Sequence, residues 1–288
     1  MPAAEGRCKL FRMMRVAPGH VRGLLVGACL VGGALALASH VESGEPREQL
    51  TRAIETDPVR AATSAEGRGG EVLRLQWKLA GFLGVIAGLF VPNEGDALLT
   101  FVPDDAGRTE IEILVTAPKR EGEYFLYGAA IDESTGATRQ VWDSYAFRDS
   151  RKDREQEIEE AAVIDYASAI YHLRWHPPTD VVRMTIWNHG RTYPVEVRPL
   201  EAETRKVRGK KLEVRGYVIQ GVELDGKTSF DDKYFVYFAR DEHSTPVEIA
   251  GKRGLVRVRI QLVDATGLPA RHPANTGIDR AAVPASVH

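Results

Sequence analysis

The residues of this chain best suited to chemistry are two histidines four apart, His172 and His176. On a helix that spacing puts two imidazoles on one face, half of a zinc site. A metalloprotease pattern needs a Glu directly after the first histidine as general base, and Leu173 stands there. Pro177 and Pro178 end the helix near His176. His243, the one other histidine considered as a third ligand, falls in Arg240-Asp241-Glu242-His243, which reads as a hairpin turn. The expectation is no metal. Asp104-Asp105 and Asp231-Asp232 are adjacent pairs beside turns, and adjacent strand residues face opposite ways, so both read as solvated turn carboxylates. There is no G-x-S-x-G elbow and no G-x-G-x-x-G spacing. The sequence therefore predicts no catalytic residue, no cofactor and a protein that is not an enzyme.

The aromatics say more. Trp77, Trp142, Tyr145, Trp187, Tyr234, Phe235, Tyr237 and Phe238 all fall on strand-like segments, where core packing is their ordinary work. Two segments exceed that need. Tyr234–Phe238 and Phe82–Ile86 are apolar at successive positions, so both faces of a strand would be apolar. An antiparallel sheet with one wet face does not need this, so the second face is expected to meet a helix, a partner or an apolar ligand.

The elements that must position these residues read mainly as strands. Period-two alternation marks Leu73–Leu79, Ile111–Val115, Tyr193–Val197 and Val256–Leu262. Further strands are expected at Ala97–Val102, Tyr124–Ile131, Arg139–Phe147, Val181–Trp187, Leu212–Val222 and Tyr234–Ala239. Turn residues such as Asn188-His189-Gly190, Asp104 to Gly107 and Gly251 to Gly254 separate them. About ten strands on such short connections imply an antiparallel meander, because parallel pairs need long crossovers. One segment breaks the pattern: Val163, Tyr166, Ala167, Ile170 and Leu173 follow helical spacing, which predicts a helix over Ala161–Trp175. The charged stretch Arg148–Glu160 before it reads as a solvated loop or the ragged lead into that helix. The predicted fold class is mainly β: a strongly curved antiparallel sheet, or half-open β-barrel, with one helix across its concave face.

Gly23 to Ala38 is sixteen residues without a charge, behind Arg7, Lys9, Arg12, Arg15 and Arg22. Basic lead, short apolar core and the small-x-small close Ala36-Leu37-Ala38 make a secretory signal, with cleavage expected between Ala38 and Ser39. Two alternatives stay open: an uncleaved anchor over residues 23–38, and a lipoprotein with Cys29 as the lipid-bearing residue. The expected location is the periplasm or cell envelope. Both cysteines, Cys8 and Cys29, lie in this leader, so the remainder has neither disulfide nor thiolate chemistry. The leader holds five basic residues and one acid, leaving 33 basic against 39 acidic, a formal −6. That balance argues against nucleic acid as a partner. Residues 39–70 read as a flexible linker with one short helix at most, residues 71–265 as the β domain, and residues 266–288 as a disordered tail.

Several segments together resemble the exported bacterial family called domain of unknown function 3108. They are Trp77 followed by Phe82-Leu83-Gly84-x-x-Ala87-Gly88, Asp165 to Arg174, the stretch Asn188–Val197, and Arg240 to Val247. The D-x-x-S-x-x-Y-x-x-R helix of that family is matched by Asp165, Ser168, Tyr171 and Arg174. The resemblance spans roughly Leu73 to Val263. It implies an architecture similar to the half-open β-barrels of lipid and lipoprotein carriers, and it implies no catalytic residue. Tyr166, Ile170, Tyr171, Arg174, Trp77 and Phe235 are the residues expected to line a ligand or seat the helix. Two occupants of the apolar surface are expected candidates: an apolar or lipid-like ligand, and an envelope protein partner.

Overall fold

The computed structural model describes residues 53–80, 93–117, 122–160, 162–224, 227–228, 232–253 and 256–267. The leader with Cys29 and the Ala38/Ser39 junction, the apolar stretch Phe82–Ile86 and the C-terminal tail beyond residue 267 lie outside the described residues.

The first described element is a helix, α1 (Pro58–Gly67), inside the stretch read from sequence as linker. Asp57 caps it by accepting from the Val59 and Arg60 amides, and Pro58 occupies the first turn, where its missing N–H costs nothing. Ala62 and Ala65 are buried against Val72, Leu98 and Val102. Their small side chains let the helix sit close to the outer face of the sheet that follows.

That sheet begins with β1 (Glu71–Ala80), β2 (Glu94–Pro103), β3 (Arg108–Thr116), β4 (Tyr124–Asp132), β5 (Thr138–Phe147), β6 (Ser150–Glu157) and β7 (Val163–Ile164). After α2 (Tyr166–Trp175) come β8 (Val182–Asn188), β9 (Arg191–Pro199), β10 (Glu203–Val207), β11 (Lys210–Gly221), β12 (Glu223–Leu224) and β13 (Lys227–Thr228). The last strands are β14 (Lys233–Ala239), β15 (Pro246–Arg253) and β16 (Val256–Thr266). Fourteen of them form one sheet in the order β6-β5-β4-β3-β2-β1-β16-β15-β14-β11-β9-β8-β7, with β10 paired to β11, while β12 and β13 pair with each other. Every neighbouring pair is antiparallel except β7 with β8.

The sheet curls until its ends approach, and side chains span the seam that its backbone ladder leaves open. Trp187 on β8 donates from Nε1 to Gln156 Oε1 on β6 at 2.7 Å. Ala129, Val141, Ile158, Val163 and Trp187 bury one another across the same seam. The concave face holds the main core, in which inward residues of β1–β5, β8, β9, β11 and β14–β16 pack around α2.

α2 forms because its start is fixed. Asp165 accepts from the Ser168 amide at 2.7 Å, and Ser168 Oγ accepts from the Asp165 amide at 2.7 Å, a reciprocal capping box. Ala167, Ala169, Ile170, Tyr171 and Leu173 are all buried, as expected of a helix enclosed by a curved sheet. Burying Ile170 alone is worth about 2 kcal/mol.

Three expectations need correction. The helix starts at Tyr166, not Ala161, because Val163–Ile164 pair with Thr185–Ile186 and Asp165 then caps. Arg148–Glu160 is not a solvated loop: Ser150–Glu157 is the edge strand β6, in register with β5 from Phe147↔Ser150 to Gln140↔Glu157. Its charges suit an edge, where they discourage further pairing, and they erased the apolar alternation that marks inner strands. Among the described residues the sheet has fourteen strands where about ten were expected, since β6, β7, β10 and β15 lack clear alternation.

Candidate functional site

Two polar clusters lie within the concave core, one at each end of α2. At the helix C-terminus, Arg174 is 1% exposed and makes a bidentate ion pair with Glu71 of β1: Nη1 to Oε2 at 2.6 Å and Nη2 to Oε1 at 3.0 Å. Its Nε donates to the His243 carbonyl at 2.9 Å, in the turn between β14 and β15. The guanidinium also lies 5.0 Å from the Phe101 ring centre and 4.4 Å from that of Trp175. Burial pushes the Glu71 carboxyl up, and the Arg174 hydrogen bond and charge oppose that shift. Every donor nitrogen of Arg174 therefore has a partner. Arg215 Nη2 closes the last turn by donating to the Arg174 carbonyl at 2.8 Å.

The second cluster forms beyond the helix N-terminus. Tyr127, Asp143 and Arg154 stand directly opposite one another on β4, β5 and β6. Arg154 Nη1 donates to Asp143 Oδ2 at 3.0 Å. His189 reaches this row from the far end of the sheet. It occupies the two-residue turn between β8 and β9, with φ +53° at His189 and +81° at Gly190, the left-handed pair of a type I′ turn. A left-handed non-glycine residue is uncommon, and here the turn throws the imidazole inward onto β5. Its Nδ1 forms a short hydrogen bond with Asp143 Oδ2, closer than the 3.3 Å approach of Arg154 Nη1. A carboxylate can only accept, so Nδ1 is the donor in that bond. The side chain is only 3% exposed, and Nε2 has no hydrogen-bond partner.

Tyrosines wall this cluster. The Tyr127 and Tyr145 rings lie 5.8 and 6.3 Å from the imidazole. Tyr166, the first residue of α2, packs edge-on against Tyr127 and Tyr234 at 4.9 and 4.8 Å. Tyr166 and Tyr234 share a hydrogen bond of 3.0 Å, and the Tyr234 hydroxyl donates to Asp232 at 3.1 Å. Burial raises both phenols well above their ordinary range, so they stay protonated.

α2 goes no further than Tyr166. The inward wall continues by a further register row, Leu75, Ala97, Val115, Phe125 and Tyr145, on β1 to β5. At about 3.3 Å per residue this row lies roughly 7 Å beyond Tyr127. Phe125 stacks on Tyr145 at 5.8 Å and approaches Phe147 at 6.1 Å. Leu79, Ala117, Phe147 and Tyr193 are only partly buried against the core. This end of the concave face has an aromatic wall and one polar corner.

The residues singled out by sequence distribute unevenly. Tyr166, Ile170 and Tyr171 are core-facing on α2, and Arg174 links it to β1. Trp77 lies on the concave wall, its ring over Gly95 and its Nε1 donating to the Thr116 carbonyl at 2.8 Å. A Cβ on Gly95 would stand 2.5 Å from that nitrogen, so only glycine fits there. Phe235 points the other way. It packs with the outer cluster of Val207, Val214, Tyr237 and Val247, where the Arg205 guanidinium lies 3.8 Å from the Tyr237 ring centre. The two-faced apolarity of Tyr234–Phe238 is thus met on the outside by β10, β11 and Arg205, and needs no ligand there.

His172 and His176 are neighbours, 6.3 Å between ring centres, and burial with His176 nearby pushes His172 down to about 4. Among the described residues no group of three or more His, Cys, Asp or Glu converges as a metal site would. Asp143 and His189 form the base half of a nucleophilic triad, yet no hydroxyl is hydrogen-bonded to Nε2. Ser144 faces outward, bonded to Tyr124 Oη at 2.9 Å and Asp153 at 2.5 Å. Sequence reading missed Asp143, Arg154 and His189. The only signal was an inward-facing acid in the otherwise apolar row Val141, Tyr145, Phe147.

No family model and no curated protein matches the chain, so the resemblance to domain of unknown function 3108 rests on the quoted residues. Among solved structures, the chain is similar to a β-barrel-like protein of domain of unknown function 1849 from Brucella abortus, at 11% identity over 68% of this chain and 96% of that one, with a TM-score of 0.35. It is also similar to the hypothetical lipoprotein YmcC from Escherichia coli, at 9% identity over 74% and 90%, TM-score 0.33. A third likeness is a putative outer membrane lipoprotein-sorting protein domain from Vibrio parahaemolyticus, at 10% identity over 74% and 94%, TM-score 0.26.

Proposed function

We propose that this is a non-catalytic binding protein of the bacterial envelope that holds an apolar or lipid-like ligand at the end of the concave face beyond the N-terminus of α2. The observation that carries the reading is the aromatic wall continuing past the helix N-terminus to the partly buried rim of Leu79, Ala117, Phe147 and Tyr193. Small-molecule sites are mostly apolar and furnished with a few placed polar groups, and the residues at this end of the sheet are of those kinds. The envelope location is supported by the basic-apolar-small order of residues 7–38. A protein docking module would instead present a contiguous apolar surface. Among the described residues the exposed large hydrophobics are Val59, Val181 and Val263, on or beside three different elements.

The test is native mass spectrometry, with lipid extraction, of the full chain purified from the envelope. A co-purified apolar molecule is expected. Recovery of none, together with no uptake of a fluorescent fatty acid, would move the assignment to an assembly module of the envelope.

A further inference from the structure

Three basic residues on the outer face of the sheet are placed in a way that the sheet's own stability does not explain. Lys233 on β14, Lys252 on β15 and Arg257 on β16 stand directly opposite one another, Lys233↔Lys252 and Lys252↔Arg257. All three are exposed and point outward, since Tyr234, Ile249 and Val258 on the same strands face the concave core. Like charges paired across strands repel and destabilise a sheet. Charged side chains often guard sheet edges, but each of these strands has a neighbour on both sides, so there is no edge to guard. The row also lacks a free counter-charge. It runs on to Ala80 on β1 and Gln220 on β11, and the next acid along it, Glu196 on β9, is held by Arg198 and Arg183. Asp232, beside Lys233 in the chain, is buried and accepts from Tyr234. Lys78 and Arg259, in the next outward row, pair with Glu94 and Glu248, whereas Lys233, Lys252 and Arg257 make no ion pair among the described residues.

We infer that this row docks the protein on an anionic lipid surface, with Lys233, Lys252 and Arg257 set among the lipid phosphates. The inference uses the envelope location proposed above and is independent of the ligand. Without its leader the chain is formally −6, so the row is a local reversal of charge and not one part of a basic protein. At about 4.8 Å between strands the three cations span roughly 10 Å. Charge complementarity favours a leaflet over a protein partner. Interfaces between proteins centre on apolar side chains, and none of the exposed large hydrophobics, Val59, Val181 and Val263, lies in this row. A leaflet needs only cations within reach of its phosphates, each worth about fivefold in affinity. Arg257 pairs with Ala80, the neighbour of the rim residue Leu79, so docking here brings the aromatic end of the concave face to the membrane.

The probes are vesicles of phosphatidylcholine alone and of phosphatidylcholine mixed equally with phosphatidylglycerol, cosedimented with the full-length protein. The leader is the same in every variant, so differences between variants report the folded domain. The parent is expected to prefer the anionic vesicles, and to lose that preference as salt shortens the reach of charge to about 8 Å at physiological ionic strength. Lys233→Gln, Lys252→Gln and Arg257→Gln together should weaken anionic-vesicle binding about 100-fold, three factors of about five. A control with the same change in charge, Arg60→Gln with Lys210→Gln and Lys211→Gln on α1 and the β10–β11 hairpin, should stay close to the parent. The row variant should keep or raise the thermal midpoint, because it removes like-charge pairs, and this confirms its folding independently. Equal losses in the two triple variants would reduce the effect to net charge and overturn the docking row. A parent that binds both vesicles alike overturns the membrane surface and leaves the ligand reading standing. Binding to poly-glutamate, lost in the row variant, without binding to anionic vesicles would assign the row to an acidic protein and overturn the lipid assignment.

Discussion

A buried arginine–carboxylate pair lies at the C-terminal end of α2 and a partly exposed one beyond its N-terminal end, and the two are finished differently. Arg174 has all its nitrogens engaged by Glu71 and the His243 carbonyl, and it ties the helix to β1 and to the β14–β15 turn. Arg154 and Asp143 form a comparable pair on β6 and β5, but a third member, His189, ends in a bare nitrogen. A saturated cluster is a clamp, because nothing is left to offer a ligand. The second cluster keeps one buried nitrogen without a hydrogen-bond partner and so ties fewer groups together.

The sharpest way to break this contrast is to remove the clamp. Arg174→Met leaves Glu71 as an unpaired buried acid and should cost about 3–5 kcal/mol in urea denaturation. The double variant Arg174→Met with Glu71→Leu should recover most of that. A loss under about 1 kcal/mol for the single change would show that the helix end needs no clamp.

The helix start gives a pH-dependent effect of the next size. Asp165 is 0% exposed, and burial raises its carboxyl to about 6 despite the Ser168 hydrogen bonds that favour its charged form. A raised folded pKa contributes stability that is complete below about pH 4 and is lost as pH rises through about 6, on the order of 3 kcal/mol. Asp165→Asn keeps the capping oxygen and removes the ionisation. Subtracting its stability–pH curve from the parent's should therefore give a fall between about pH 4 and pH 6. A flat difference would place Asp165 outside the low-dielectric core.

The smallest effect is expected at the tyrosine end. His189→Asn should change stability by less than about 1 kcal/mol in thermal denaturation, since Asp143 keeps Arg154 and the turn accepts asparagine. A loss comparable to that of Arg174→Met would make His189 a second clamp and remove the distinction between the ends.

How much of this was written in the sequence depends on the range over which each signal acts. Strands β1, β3, β9 and β16 were legible because one-sided burial imposes a period of two on local sequence, whereas β2, β4 and β14, buried on both faces, were legible as apolar runs. The turn at His189-Gly190 and the end of α2 at Pro177 were equally local. β6 was missed because an edge strand need not alternate apolar with polar. Phe235 was assigned to the wrong face's work: the two-sided apolarity of Tyr234–Phe238 was visible, but that the outer side is met by β10, β11 and Arg205 was not.

By itself the sequence determined most of the strand pattern and a helical segment ending before Pro177, each of which depends on neighbours within a few residues. Only the tertiary structure decided that Asp143, Arg154 and His189 meet. They lie up to 46 positions apart along the chain and on opposite ends of the sheet order, joined when curvature brings β6 and the β8–β9 turn together. Curvature is a collective property of fourteen twisted strands. No short window encodes it, so the side chains it juxtaposes look in sequence like an ordinary acid, an ordinary arginine and a turn histidine.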